Sequence, residues 1–444
     1  MMKNKDQKRC IISLSLLIIT SSVLLSACDV ISMVSDIFPD ENSSKLEPSL
    51  DQMEADQETL PTPIPTQLPI DQNVITVWVQ PQFDPNDESP TSQLLQQHIQ
   101  SFSEDNPGVR VNIRLKAGDG VNSILNALSI TAEAAPDALP TIVLLTRQDM
   151  DIAAAQGLVR PIESYSSALD NNDWYPFANK LGKYHNEVFG LPFAADVMVL
   201  AMRDRIPPTQ YLPLTDVPRN FGVIGFAAGN PQPIVPYIWL QSVGGQLMDN
   251  LDQPIYEEAA LFQLFTAIEA NRREGKFSSA ILEYESERAA WEAFTNGDLP
   301  TVITRYSNVR ATPSGSRFYH IPGLGQSPYT YAYGWVWCLV QKESADIDIN
   351  VRFMQHLVSP DFLAEWTKES TYSPVRPSSL KKMETDTILL DQILLSADII
   401  PPRSIRNISD SYLSNALNDL LTGTTTAEDA AQFVLEQINK DIDN

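Results

Sequence analysis

The sequence predicts an α/β protein of more than one domain, and three observations carry that reading. The chain has 444 residues, more than one hydrophobic core holds and enough for about two or three domains. From residue 73 onward, short apolar runs alternate with amphipathic stretches of helical period, the pattern of helices packed on a sheet. Residues 328–341, PYTYAYGWVWCLVQ, carry an aromatic at every second position: Tyr329, Tyr331, Tyr333, Trp335 and Trp337. Period two is the strand period, so the five rings should leave one face of one strand. Such a row is either a thick core seam or a ligand platform.

In chain order, the first segment reads as an export signal. Lys3, Lys5, Lys8 and Arg9 make a basic start, and residues 11–25 are apolar but too short for a good membrane span. Leu25-Ser26-Ala27-Cys28 resembles the bacterial lipobox, in which the cysteine is acylated and becomes the new N-terminus. Residues 1–27 are therefore expected to be a lipoprotein signal peptide and Cys28 the lipidated anchor; the alternatives are an ordinary secretory signal or a short anchor helix. Of the three cysteines, Cys10 leaves with the signal and Cys28 takes lipid. Cys338 is then alone, no intramolecular disulfide is expected, and its apolar run reads as burial. Residues 28–72 are acidic and Pro-rich, with an LPTPIPTQLP spacer. They read as a disordered tether that lifts a folded body off a bilayer, placing the protein on the outer face of the cytoplasmic membrane.

The folded body opens with a strand at 74–79, followed by a helix at 91–104 that Asn106-Pro107-Gly108 stops. Residues 109–115 alternate as a second strand, 121–135 read as helix, 141–145 as a buried strand, and 148–156 as a helix that Gly157 closes.

The formal charge of −25 argues against nucleic acid, which needs concentrated Lys and Arg. His98, His185, His320 and His356 fall in unrelated segments, without HExxH or paired spacing. There is no G-x-S-x-G elbow, phosphate-binding loop or dinucleotide fingerprint. No catalytic residue, metal site or cofactor is expected; a glycosidase or lyase remains a rival only because carboxylates abound.

From residue 73 the chain resembles family 1 of the bacterial extracellular solute-binding proteins, the maltose/oligosaccharide-type receptors of ABC importers. The resemblance rests on the ITVWV strand, NPGV-x-V, APD, AAAQGLVRPIESY, NEVFGLPF at 186–193, WLQSVGGQLMD at 239–249, AAWEAFTNGDLPTVITRYSN at 289–308 and MQHLVSPDFLAEWTKESTYSPVR at 354–376. Their order runs over roughly 370 residues. Two places depart from the family pattern: Leu200-Ala201-Met202-Arg203 stands where a Tyr-Asn pair is usual, and 209–236 lacks a P-x-T-W start. The resemblance implies a two-lobe periplasmic-binding-protein-like fold with hinge crossings and an interlobe cleft. It places lobe one at 73–195 plus 305–341 and lobe two at 196–304 plus 342–444. It implies a monomer that captures a small solute, most simply a carbohydrate, and delivers it to ABC permease subunits. A cationic ligand such as a polyamine, or a degenerate surface or scaffold lipoprotein, are the other readings.

Sugar rings offer apolar C–H faces bordered by hydroxyls, so Trp and Tyr stack on them while acids, amides and Arg bind the rim. Trp78 and Gln80 end the first strand, and Asp84 sits in the next loop. Asp149 follows the third strand as a contact or a helix cap. Asp196 stands at the first crossing, as a contact or a hinge bond. Tyr237 and Trp239 come from lobe two, Arg305 and Tyr306 from the second crossing. Trp366 and Tyr372 resemble the family's late aromatic contacts. Of the opening row, Tyr331, Tyr333 and Trp335 are expected nearest the ligand and Trp337 in the core, with Gly334 admitting a ligand or backbone. Trp291 and Phe294, three apart on an amphipathic helix, are expected in the core.

Overall fold

The computed structural model describes residues 73–203, 211–218, 221–248, 254–312, 315–342, 346–383 and 387–442. The export signal, Cys28 and the tether lie outside the described residues.

The alternating pattern at the start of the body forms parallel strands. β1 (Asn73–Val79) pairs with β2 (Val109–Leu115) along its whole length, and β3 (Ile142–Thr146) adds on its other side. The connecting helices are α1 (Pro90–Asp105) and α2 (Ile124–Ala134), each started by a serine, Ser89 or Ser123, that accepts a backbone N–H of the first turn. Thr146 does the same for α3 (Arg147–Ala155). After α4 (Pro176–Leu181), a hairpin of β4 (Lys183–Tyr184) and β5 (Glu187–Val188) turns at His185 and Asn186, both with positive φ. Two left-handed residues give the twist that a tight hairpin needs.

Next comes the member on which both lobes hang. β6 (Gly190–Met202) is thirteen residues long, and every one is buried. It is followed by β7 (Ile224–Gly225), α5 (Val235–Ser242), α6 (Glu258–Arg273), α7 (Glu287–Asn296), β8 (Thr301–Arg305), α8 (Tyr306–Ala311), β9 (Arg317–Tyr319) and β10 (Thr330–Leu339). The chain ends with α9 (Ile347–Leu357), α10 (Pro360–Glu369), α11 (Pro377–Leu380), α12 (Thr387–Leu395), β11 (Ala397–Ile399), α13 (Arg403–Thr422) and α14 (Ala427–Ile442). The first part of β6, up to Val197, pairs antiparallel with β10, which itself pairs with β3. From Met198 on, the same strand pairs with β8, and Leu200–Met202 also pair with β9. One strand thus belongs to two half-sheets, β2-β1-β3-β10-β6 and β6-β8-β7.

The expected lobe boundaries need correction at two crossings. Arg305, α8 and β9 stay with the second half-sheet, where α8 and β9 pack on β6 and β8, so the chain returns to the first lobe only on entering β10. The third crossing falls not at Gln341 but after β11, which pairs with β10. α9 and α10 cover α1, and α12 covers α4 and β6, so they complete the first lobe; α13 and α14 pack on α6 in the second. An amphipathic helix announces that it covers something, but its sequence does not say what.

The α1–α9 seam contains a histidine pair. The rings of His98 and His356 stack at 3.7 Å, Phe362 stacks on the far side of His98, and each Nε2 bonds the other residue's carbonyl oxygen, at 2.6 and 2.8 Å. Cys338 is buried and free, as its apolar run suggested.

Candidate functional site

A cavity of about 650 Å³ opens where the two half-sheets diverge from β6. The first lobe contributes Gln82, Gln148, Tyr333, Trp335 and Tyr372 to its lining. The second contributes Asn230, Gln232, Ser286, Glu287, Trp291, Ser307, Asn308 and Arg406, with Asp196 and Arg305 at the junction.

Its floor is a connected polar cluster. Asp196, 1% exposed on β6, faces Tyr333 of β10 in the ladder. Its carboxylate accepts the Ser307 N–H at 3.0 Å and the Ser307 hydroxyl at 2.6 Å from the start of α8. Burial raises its pKa to about 6, against the pull of Arg305 and the two Ser307 bonds. The Arg305 guanidinium donates to Glu287 at 2.6 Å and lies 3.9 Å over the Tyr333 ring. Burial pulls Arg305 down, but Glu287, Tyr333 and Asp196 outweigh it and hold it above its ordinary value. The Tyr333 hydroxyl donates to the other Glu287 oxygen at 3.0 Å. Glu287 is in the first turn of α7, where the helix dipole favours an acid.

The first-lobe wall is aromatic. Trp335, 7% exposed, meets Tyr372 edge-on at 4.9 Å and Phe83 at 5.3 Å. Its indole N–H donates to Gln80 at 3.1 Å, and Gln82 donates to the same Gln80 oxygen at 2.6 Å. Gln80 therefore supports the wall from behind and does not line it.

Of the fourteen residues expected at the site, the cavity brings together Asp196, Arg305, Tyr333, Trp335 and Tyr372. The others lie elsewhere. Trp78 is buried between β2 and β3 with Lys116 over its ring. Asp84 accepts the N–H and side-chain amide of Asn86 in its own loop. Asp149 exchanges hydrogen bonds with Thr146 as a helix cap. Tyr237 is fully buried, bonded to Ser409 and Asp410. Trp239 packs on Phe226 and Phe277 and donates to the Pro322 carbonyl. Tyr306 is buried against Phe318. Trp366 stacks behind Tyr372 against Phe193. Tyr331 lines a different groove, and Trp337 packs on Phe193 in the core. The β10–β6 ladder shifts register between Trp335 and Val336, with Phe193 of β6 as the extra residue, while β10 keeps its alternation against β3. Gly334 admits the Leu181 side chain, not a ligand.

One expectation fails the other way. Trp291 lines the cavity, while Phe294 beside it is buried. The sequence reading also missed Gln82, Asn230, Gln232, Ser286, Glu287, Ser307, Asn308 and Arg406. Only the places of Gln82 and Ser307, each just past a strand end, were usable signals. Among the described residues, no group of three or more His, Cys, Asp or Glu could hold a metal ion.

Comparison with known proteins bears on this architecture. A family model described as bacterial extracellular solute-binding protein matches residues 97–389. No curated protein matches in sequence. Among solved structures, the chain is similar to the maltose-binding periplasmic protein of Listeria monocytogenes in complex with maltose, at 13% identity and TM-score 0.67, covering 84% of this chain and 98% of that one. It is similar to the cyclic α-maltosyl-1,6-maltose binding protein of Arthrobacter globiformis, at 14% identity and TM-score 0.68, covering 84% and 99%. It is also similar to an extracellular solute-binding protein of Staphylococcus aureus in complex with maltose, at 16% identity and TM-score 0.65, covering 84% and 98%. At such identities the likeness establishes a mixed α/β fold of periplasmic-binding-protein type.

Proposed function

The chain belongs to the bacterial extracellular solute-binding protein family, and on that premise we propose that it captures a carbohydrate in the interlobe cavity and delivers it to an ABC permease. The observation that carries this reading is the lining. Trp335, Tyr372 and Trp291 offer ring faces from both lobes, and between them stand the amides of Gln82, Gln148, Asn230, Gln232 and Asn308. Flat apolar faces bordered by neutral donors and acceptors suit a sugar ring. A polyamine fits less well, because Arg288, Arg305 and Arg406 share the lining with only two acids, Asp196 and Glu287. The maltose-bound relatives support a glucose oligosaccharide as the first ligand to try. Contact with both lobes favours the closed arrangement, so binding is read as a population shift. The protein acts as a receptor, not a catalyst.

Titration of the purified protein with maltose and longer maltodextrins, followed by tryptophan fluorescence, should give a saturable change, since Trp335 and Trp291 line the cavity. A response to spermidine and none to any sugar would overturn the carbohydrate assignment. The anchor is part of the same proposal: Cys28 carries lipid and residues 28–72 tether the receptor to the outer face of the membrane as a monomer. Labelled palmitate should enter the wild-type protein and not Cys28→Ala.

A further inference from the structure

A second groove, of about 750 Å³, also lies between the lobes and shares only Gln148 with the cavity described above. Its first-lobe side is formed by α3, the end of α4 and the β4–β5 hairpin, with Tyr329 and Tyr331 as its apolar wall. Its second-lobe side comes from the residues after α5 and the start of α13. In a chain of formal charge −25, this groove collects Arg147, Lys180, Lys183 and Arg403 against only two lining acids, Asp151 and Asp398. The acids are already engaged: Asp151 pairs with Arg147, and Asp398 binds Lys180 through both oxygens at 2.8 Å. Arg403 reaches Asp149 only at 3.9 Å and stays 55% exposed. Lys183 has no acid partner among the described residues. Burial pulls the Arg147 pKa down to about 10, and part of its guanidinium has no hydrogen-bond partner.

The start of α13 adds an independent feature. This twenty-residue helix begins at Arg403 in the groove; its N-cap is Pro402, which offers no capping side chain, and its first turn holds no acid. The N–H groups of Ile405 and Arg406 bond the Pro402 carbonyl, which leaves those of Arg403 and Ser404 and the positive end of the dipole to face the groove.

We propose that this groove is a binding site for a small oxyanion, a phosphate- or carboxylate-bearing molecule, held between Lys183 of the first lobe and Arg403 with the α13 N-terminus of the second. Arg and Lys beside a helix start suit both groups through charge-assisted hydrogen bonds. The aromatic wall leaves room for a larger body behind the anionic group. The ligand touches both lobes but not the carbohydrate cavity, so the site stands or falls apart from the sugar assignment.

The test is calorimetric titration of the full chain, without sugar and at low ionic strength, with inorganic phosphate and separately with citrate. Saturable binding of either is expected, and the stronger of the two names the group. The Lys183→Gln, Arg403→Gln double variant should bind at least about tenfold more weakly, the loss expected for one charge-assisted hydrogen bond. Lys183→Arg should retain binding. Both side chains are at the surface of the groove, so unchanged melting and circular dichroism are expected of every variant. Saturation by neither anion, or equal binding by the double variant with its fold intact, would overturn the proposal.

Discussion

The hydroxyl of Tyr333, on a first-lobe strand, donates 3.0 Å to Glu287, on a second-lobe helix. The bond spans the floor of the cavity, and Arg305 joins it from the junction through its own bond to Glu287. The two lobes are thus tied together directly beneath the place where a solute would sit.

Tyr333→Phe keeps the ring under Arg305 and removes only the interlobe bond. It should leave stability nearly unchanged and weaken sugar binding by about fivefold, the size of one hydrogen bond of ~1 kcal/mol. Glu287→Ala should cost more, about 2 kcal/mol, because Arg305 loses its counter-charge; a third of the Arg305 side chain remains in water, which keeps this below the cost of breaking a fully buried pair. Calorimetric titration and thermal melting of the two variants separate these effects.

Trp291 is the second-lobe ring in the cavity lining, only 9% exposed. Trp291→Ala should lower sugar affinity by roughly tenfold or more, through lost stacking and apolar area. Trp239→Ala, in the packed core of the same lobe, should instead cost about 3–5 kcal/mol of stability. A Trp291 variant that binds as well as wild type would remove this residue from the site.

Asp196 makes stability depend on pH in an unusual direction. Its folded pKa, raised to about 6, stands above its ordinary value of 3.8. Between those values the unfolded chain has lost the proton that the folded chain keeps, so stability falls as pH rises from about 4 to 6. The full effect is on the order of 3 kcal/mol. Asp196→Asn should flatten that slope in urea melts run across the window; an unchanged slope would show that another group governs it.

His98 works in the opposite sense. Burial, chiefly, lowers its pKa from 6.5 to about 4. Its contribution is intact above pH 6.5 and is lost as pH falls toward 4, because the unfolded chain takes up a proton that the stacked ring refuses. His98→Gln should be less stable than wild type at pH 7, with the difference narrowing at pH 5. Paired melts at the two pH values measure it.

The strands were legible in the sequence because burial on a pleated sheet leaves a period. β2 fell on its expected residues, and β1, β3 and β10 fell within two. The site was much less legible. Trp239 and Trp291 are both tryptophans on short helices, yet one meets Phe226 and Phe277 and the other meets the cavity. What separates them is which rings arrive from distant segments, and nothing adjacent in the chain encodes that. Gln82, Ser286 and Asn308 are polar residues outside strands, where no period marks a ligand contact from a solvated side chain. Asp149 was ambiguous for a related reason: an acid three residues after a threonine can cap a helix wherever that helix points.

β6 passes from one lobe to the other as one strand of thirteen residues, and its one register shift, at Phe193, lies within the first lobe, away from the crossing. A stretched ladder is stiff along its length and in its own plane but yields readily to twist. The lobes should therefore move as a torsion about this shared member, with its hydrogen bonds intact throughout. Opening and closing would then involve no local unfolding, and exchange of the β6 amides with solvent should be as slow in the empty receptor as in the loaded one.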